Sequence, residues 1–360
     1  MITIDVRWLN ASGMGTYLRN IVPGILPAFP ERRFVLIGDR DEVEQIGIPS
    51  SAKVDVVASS AKMYSMAEQF EIPKKIPKET RLYFAPHYNI PLLYRGKMLV
   101  TVYDLFHLAM PHLVGGFHKR IYARYMLDAV RRRADAILTI SRFTRDELIR
   151  FTGEGRQTIF PIHLGVDESW FAAKSSSSPH GKPYLLYVGN IKPHKNLVGL
   201  IKAFGTLLDD IPHDLVLLGK KEGFITGDRS SVLEAGKLRG RVHFTGRVED
   251  VILKSYMAHA DALVFPSFYE GFGLPPLEAM AAGCPVISSN VASLPEICGD
   301  AALYCDPYST ADIAGKIGLL MRDGSLRDEL RVKGEARARQ FTWNACITET
   351  CGVIDGLLAS

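Results

Sequence analysis

Cysteine is scarce in this 360-residue sequence: Cys284, Cys298, Cys305, Cys346 and Cys351 are all there is. Five residues so scattered build no disulfide scaffold, and with no C-x-x-C pair among them a zinc-finger reading is excluded. A reducing cytoplasm is the expected compartment. No apolar run is long enough to span a bilayer, and no leader of charged, apolar and small residues precedes the strand pattern that opens at Ile2. Any membrane association is therefore expected to be peripheral. A dominant sign of charge is missing too, since 43 Lys+Arg stand against 39 Asp+Glu for a net charge of +4. So small an excess gives no reason to expect a nucleic-acid partner. Arg131, Arg132 and Arg133, with Lys74, Lys75 and Lys78, either favour an anionic membrane surface or a phosphate-bearing acceptor, or form a solvated face.

What the chain has in abundance is short apolar runs alternating with helical patterns, the signature of α/β architecture with parallel sheets covered on both faces. The expected strands of the first half are Ile2–Val6, Phe34–Ile37, Val54–Val57, Leu82–Ala85, Met98–Val102, Ala136–Ile140 and Thr158–Pro161. Those of the second half are Tyr184–Val188, Leu215–Leu218, Val242–Phe244, Ala262–Phe265, Val286–Ser288 and Ala302–Tyr304. These give two doubly wound, Rossmann-like units. At 360 residues the chain is long for one core, which agrees with two domains. The expected division is 1–170, a small and polar linker over 171–182, and 183–340, with a last helix over 341–360. Two such sheets facing a cleft would bind a ligand at their strand ends.

The segment FPSFYEGFGLPPLEAMAAGCP, residues 265–285, concentrates chemistry. Glu270 and Glu278 flank Gly271, Phe272, Gly273 and Leu274; Pro275 and Pro276 suit the first turn of a helix that Gly283 and Pro285 end. Free amide N–H groups at such a start suit a diphosphate, and Glu278 is expected in the first helical turn. In YVGNIKPHKNL, residues 187–197, Gly189 follows a strand and Lys195 stands at a helix start, with Asn196 as its expected cap. A lysine there reaches phosphate oxygens and neutralises charge on a leaving nucleoside diphosphate. It can equally be a surface residue.

Near the amino terminus Gly13 and Gly15 are expected to make a tight turn into a helix beginning near Thr16. This is half of a dinucleotide fingerprint, and Asp39 follows the second strand, so an NAD-dependent dehydrogenase is a rival reading. Asp39-Arg40-Asp41 has the letters of a metal-holding Asp-x-Asp pair, but its acidic run before a surface helix reads better as a solvated loop. No metal and no cofactor are expected.

Taken together, these motifs make the chain resemble the retaining, metal-independent nucleotide-sugar glycosyltransferases of family 4, with the two-domain GT-B fold. The pair Glu270 and Glu278 matches the family's E-x7-E motif. ILTISRFTRDEL, YVGNIKPHKNL, FTGRVED, SLPEICGDAALYCDP and FTW follow its pattern in order from about residue 100 to 345. The resemblance implies a nucleotide diphosphate sugar as co-substrate, gripped by the second domain, and a glycan or lipid-linked acceptor on the first. Lys195 matches the donor-phosphate lysine, and His194 stands where many relatives have Arg, so a second permanent cation is either missing or supplied by Lys192.

Gly13 and Gly15 would lie near the donor's reacting end. Where relatives commonly have His-Asp the chain has Tyr103-Asp104, with His107 three residues on, so Asp104 and His107 are candidates for the catalytic role, with His87 as a further one. The likeness is to bacterial mannosyl- and rhamnosyltransferases of surface-polysaccharide assembly, favouring a GDP-sugar over a UDP-sugar and a site of action at the inner membrane face. A glycogen- or trehalose-type synthase and a non-enzymatic sugar-nucleotide binder remain as alternatives.

Overall fold

The computed structural model describes residues 1–59, 61–173, 177–219, 234–238 and 240–360; positions 174–176 of the expected linker lie outside them. The chain divides into two compact units, Met1–Gly165 with Thr342–Ser360, and Val166–Phe341.

The first unit holds a parallel sheet of seven strands, β1 Ile2–Asp5, β2 Arg33–Gly38, β3 Lys53–Ala58, β4 Leu82–Ala85, β5 Met98–Val102, β6 Ala136–Thr139 and β7 Thr158–Pro161, in the order β3-β2-β1-β4-β5-β6-β7. The second holds six, β8 Tyr184–Val188, β9 Asp214–Leu218, β10 Val242–Gly246, β11 Ala262–Phe265, β12 Val286–Ser289 and β13 Leu303–Cys305, in the order β10-β9-β8-β11-β12-β13. Central strands such as β1, β4, β5, β11 and β12 are buried at every position, because helices cover both faces, whereas the edge strand β3 alternates in exposure. All thirteen expected strands are present, with ends that move by no more than two residues. Strand order reverses between β1 and β4 in one sheet and between β8 and β11 in the other. In doubly wound sheets ligands bind outside the carboxyl ends of the strands at these switch points.

In the first unit the closing helix Trp343–Ala359 packs on helix Ser12–Ala28. Arg81 and Lys97 hold its last turn by donating to the carbonyls of Leu358 and Leu357. A Cβ on Gly165 would stand 2.1 Å from the Trp343 nitrogen, so only glycine lets the two stretches meet. Segment 166–170 groups with the second unit: Trp170 is buried, its short helical turn touches helix Leu274–Ala281, and the Lys254 ammonium lies 5.5 Å from its ring.

Two readings of local structure need correction. Gly13 and Gly15 do not form a turn, because the helix already starts at Ser12 and the Gly15 N–H donates to the Ala11 carbonyl at 2.8 Å. Gly15 is needed for space: a Cβ there would be 2.2 Å from the Leu9 carbonyl oxygen, which also accepts from Arg19. Arg131 and Arg133, read as part of a basic patch, are instead fixed to backbone. Arg131 is buried against the Gly153 carbonyl, and Arg133 donates to the carbonyls of Leu92 and Tyr94.

Candidate active site

At the switch point of the second sheet, β8 is followed by Gly189, whose φ is +155° and whose N–H donates to the Leu218 carbonyl at 3.0 Å. Gly219, at the end of β9, must also lack a side chain, since its Cβ would meet the Gly189 carbonyl oxygen at 2.2 Å. A 3-10 turn, Pro193–Lys195, follows, and then Asn196 with φ 55° and ψ 37° starts helix Leu197–Gly205. Asn196 does not cap the helix with its side chain as expected. Its left-handed backbone turns the amide inward, where it donates to the carbonyls of Pro266 at 3.1 Å and Pro307 at 2.7 Å. One buried side chain therefore ties the Lys195 turn to the chain leaving β11 and to the chain leaving β13.

From β11 the chain runs through Glu270 to Gly273, whose φ of +126° starts helix Leu274–Ala281 with Pro275 and Pro276 in its first turn. Ser293 holds this loop, its hydroxyl bridging the carbonyls of Glu270 at 2.9 Å and Phe272 at 2.6 Å. The Phe268 N–H donates to the His194 carbonyl, joining the two loops directly. The result places the Lys195 Nζ 2.5 Å from Glu270 Oε1, with side chains 16% and 13% exposed, and 5.2 Å from the Phe265 ring centroid. Lys192 is exposed and the His194 side chain is buried.

Glu278 is one turn further into the helix than expected. With Leu274 as the first helical residue it is the fifth, and the first turn carries no acid. It is half-buried, and burial first, then the nearby Asp250, pushes its carboxyl up to about 7, partly offset by Lys254. A carboxyl poised there changes charge near neutrality. Sequence reasoning did not single out Asn196 or Ser293 for these anchoring roles; the only local sign of the second is a Ser directly before the Leu-Pro helix start.

In the first unit Asp104 follows β5 and accepts the Phe106 N–H at 3.0 Å, closing a turn that leads into helix Phe106–Ala109, which carries His107. Both are half-buried. Tyr103 is half-buried, its ring 5.7 Å from that of Tyr17, and burial of its hydroxyl raises that group well above the usual range. Close to these, at the β1/β4 switch point, His87 stacks on Trp8 with centroids 4.4 Å apart. Its Nδ1 accepts from the Asn89 N–H, so the neutral ring carries its proton on Nε2, 3.1 Å from the Tyr64 hydroxyl. Burial first, then His107 and Arg7, lowers His87 to about 3, so it stays neutral at physiological pH. Beneath it Arg7 is held by Asp5 at 2.7 Å and Glu68 at 3.0 Å. Asp39 caps helix Arg40–Glu44, its Oδ1 accepting from the N–H groups of Asp41 and Glu42.

Residues 168–337 match the family described as glycosyl transferases, group 1. The O-antigen chain mannosyltransferase B of Escherichia coli is 33% identical over 283 residues, covering 75% of this chain and 72% of that protein. The O-antigen chain mannosyltransferase RfbU of Salmonella typhimurium is 30% identical over 63% of this chain and 61% of its own length. In three dimensions the sucrose-phosphate synthase of Thermosynechococcus elongatus superposes with a TM-score of 0.78 over 99% of both chains at 21% identity, a likeness of fold, that of GT-B glycosyltransferases. The chain belongs to the group 1 glycosyltransferases.

Proposed function

We propose that this glycosyltransferase moves mannose or a related hexose from a GDP-sugar to a growing glycan, free or lipid-linked, in cell-surface polysaccharide synthesis, with retention at the anomeric carbon and without a metal. The observation that carries the reading is the convergence of Lys195 and Glu270 at the β8/β11 switch point, over a glycine turn and the start of a helix. Two relatives that are O-antigen mannosyltransferases support the choice of sugar.

In this mechanism the diphosphate lies against Gly189 and the N–H groups from Gly271 to Leu274. Lys195 neutralises charge on the departing nucleoside diphosphate, acting where negative charge builds in the transition state. Glu270 holds hydroxyls of the transferred sugar, and Glu278 those of the ribose. The acceptor attacks from the face the leaving group vacates, and the diphosphate helps to take its proton, so no enzyme nucleophile is needed. Asp104 and His107 orient the acceptor or the sugar, and Gly13, with open space around it, gives the donor's reacting end close access to a helix start, while Gly15 makes room for the Leu9 carbonyl.

Peripheral contact with an anionic membrane belongs to the same reading. Phe117, Ile121 and Tyr125 recur at helical spacing as exposed apolar side chains, with exposed Lys119, Arg120 and Arg124 beside them. No helix among the described residues is long and apolar enough to cross a membrane.

The test is transfer from GDP-α-mannose to a synthetic lipid-linked oligosaccharide, followed by NMR of the product's anomeric proton. An α-linked mannose is expected. A β-linked product rejects retention, and transfer from a UDP-sugar alone moves the assignment to a UDP-sugar-dependent enzyme.

A further inference from the structure

Lys195 and Glu270 lie at the carboxyl ends of the second sheet's strands; at the amino ends of the same sheet three other groups converge. His180 precedes β8, Asp214 opens β9, and His243 is the second residue of β10. His180 Nε2 is 2.9 Å and His243 Nε2 is 3.0 Å from Asp214 Oδ2. The imidazoles are 4.9 Å apart in an edge-to-face arrangement, and the three ligand atoms all lie within 4.8 Å of one another. Asp214 is 2% exposed, while the histidines reach solvent from one side. We propose that His180, Asp214 and His243 form a binding site for a zinc-class divalent cation, with a water in the fourth position, that serves structure rather than sugar transfer.

The donor set fits this chemistry. Two imidazoles and one carboxylate suit zinc and its neighbours in the transition series; magnesium and calcium favour sets made of oxygen. At metal–ligand distances of about 2.0–2.1 Å a tetrahedral site separates neighbouring ligand atoms by about 3.3 Å. Each histidine then withdraws from the carboxylate by only a few tenths of an ångström as the ion enters. A neutral imidazole binds through Nε2 once its proton sits on Nδ1.

The carboxylate is also oriented from behind. Arg241 Nε approaches the other oxygen, Oδ1, at 3.4 Å, and three more of its N–H groups donate to the carbonyls of Leu208, Ile211 and His213. Oδ2 is thereby left to the histidines, in the manner of an outer-shell partner that fixes a ligand's direction. Two cations oppose the ion. Arg241 is bound to Oδ1, and Lys182, 4.0 Å from Oδ2 with a side chain 65% exposed, is free to turn into solvent. An occupied site clamps the segment ahead of β8 to the starts of β9 and β10, three stretches far apart in sequence.

The test uses full-length, tag-free protein stripped with EDTA and titrated with ZnCl2 against a chromophoric chelator. One zinc per chain is expected, with affinity at least 10-fold weaker in His180→Gln and in His243→Gln and unchanged in His118→Gln, an exposed histidine elsewhere. Zinc should raise the Tm of the wild type and leave both ligand variants unmoved. Long-range 1H–15N spectra of the wild type need no variant and should show the Nε2 signals of His180 and His243 shifting on zinc addition. The proposal is overturned if the wild type takes up no zinc, if both variants bind as tightly as it does, or if they lose the same stability with and without zinc, the mark of an ion-pair network alone. Sugar transfer is not the readout, so failure here leaves the glycosyltransferase assignment standing.

Discussion

The Lys195 ammonium and the Glu270 carboxylate meet at 2.5 Å although 75 positions separate them in sequence. Such a charge-assisted contact between two largely covered groups is strong. In the proposed mechanism a donor phosphate competes with Glu270 for the same ammonium, which would link the two roles: when the lysine turns to phosphate, the carboxylate is released to accept sugar hydroxyls. Lys195→Ala should lower kcat by about 100-fold or more, the usual cost of removing one group that stabilises developing charge. Because the pair acts as a unit, adding Glu270→Ala should cost far less than its separate effect. A kcat within a few-fold of wild type for Lys195→Ala would remove the lysine from the chemistry.

Glu278 should leave a mark on stability. Its carboxyl is raised from 4.5 to about 7, so the folded chain holds that proton more tightly than the unfolded chain. Stability then falls as pH rises from about 4.5 to 7 and levels off above it, by on the order of 3 kcal/mol. Glu278→Gln should flatten that part of a Tm-against-pH profile. It should also raise the donor's KM about 10-fold with little change in kcat, as loss of a charged hydrogen-bond acceptor does. An unchanged KM would detach Glu278 from the donor.

Gly273 is strained for any other residue: its φ is +126°, and a Cβ would lie 2.8 Å from Leu294 Cδ2. Gly273→Ala should cost about 1–3 kcal/mol by thermal unfolding and shift the Glu270 loop. The matching loss in kcat/KM should exceed that of Ser293→Ala, which frees the same loop without straining it.

Gly13 gives the opposite pairing of effects. A Cβ there meets nothing within 4 Å, and the residue is helical. Gly13→Ala should therefore keep or raise the Tm, since alanine is favoured over glycine in a helix by about 1 kcal/mol. If the donor's reacting end approaches this helix start, the same change raises the donor's KM. A wild-type KM in the stable variant would reject that approach.

The strands were legible in the sequence because parallel sheets covered on both faces read as plain apolar runs; β4, β5, β7, β8 and β11 have the expected ends. What escaped the sequence depends on contacts between distant positions. Gly13 and Gly15 look like a turn because glycine marks turns, yet Gly15 is set by the carbonyl of Leu9. Asn196 looks like a helix cap because asparagine favours that position; its left-handed backbone aims it at Pro266 and Pro307 instead. Glu278 moved one turn into its helix because the left-handed Gly273 starts that helix at Leu274. The grouping of His180, Asp214 and His243 has no local spacing to betray it, since three separate stretches supply the three side chains.

Calorimetric titration of the full-length protein with GDP, UDP, ADP and NAD, repeated with Lys195→Ala, tests the central claim most directly. GDP is predicted to bind one to one and most tightly, and Lys195→Ala to weaken it at least 10-fold. Binding of NAD with no nucleoside diphosphate binding, or GDP binding as tightly to Lys195→Ala as to the wild type, would contradict it.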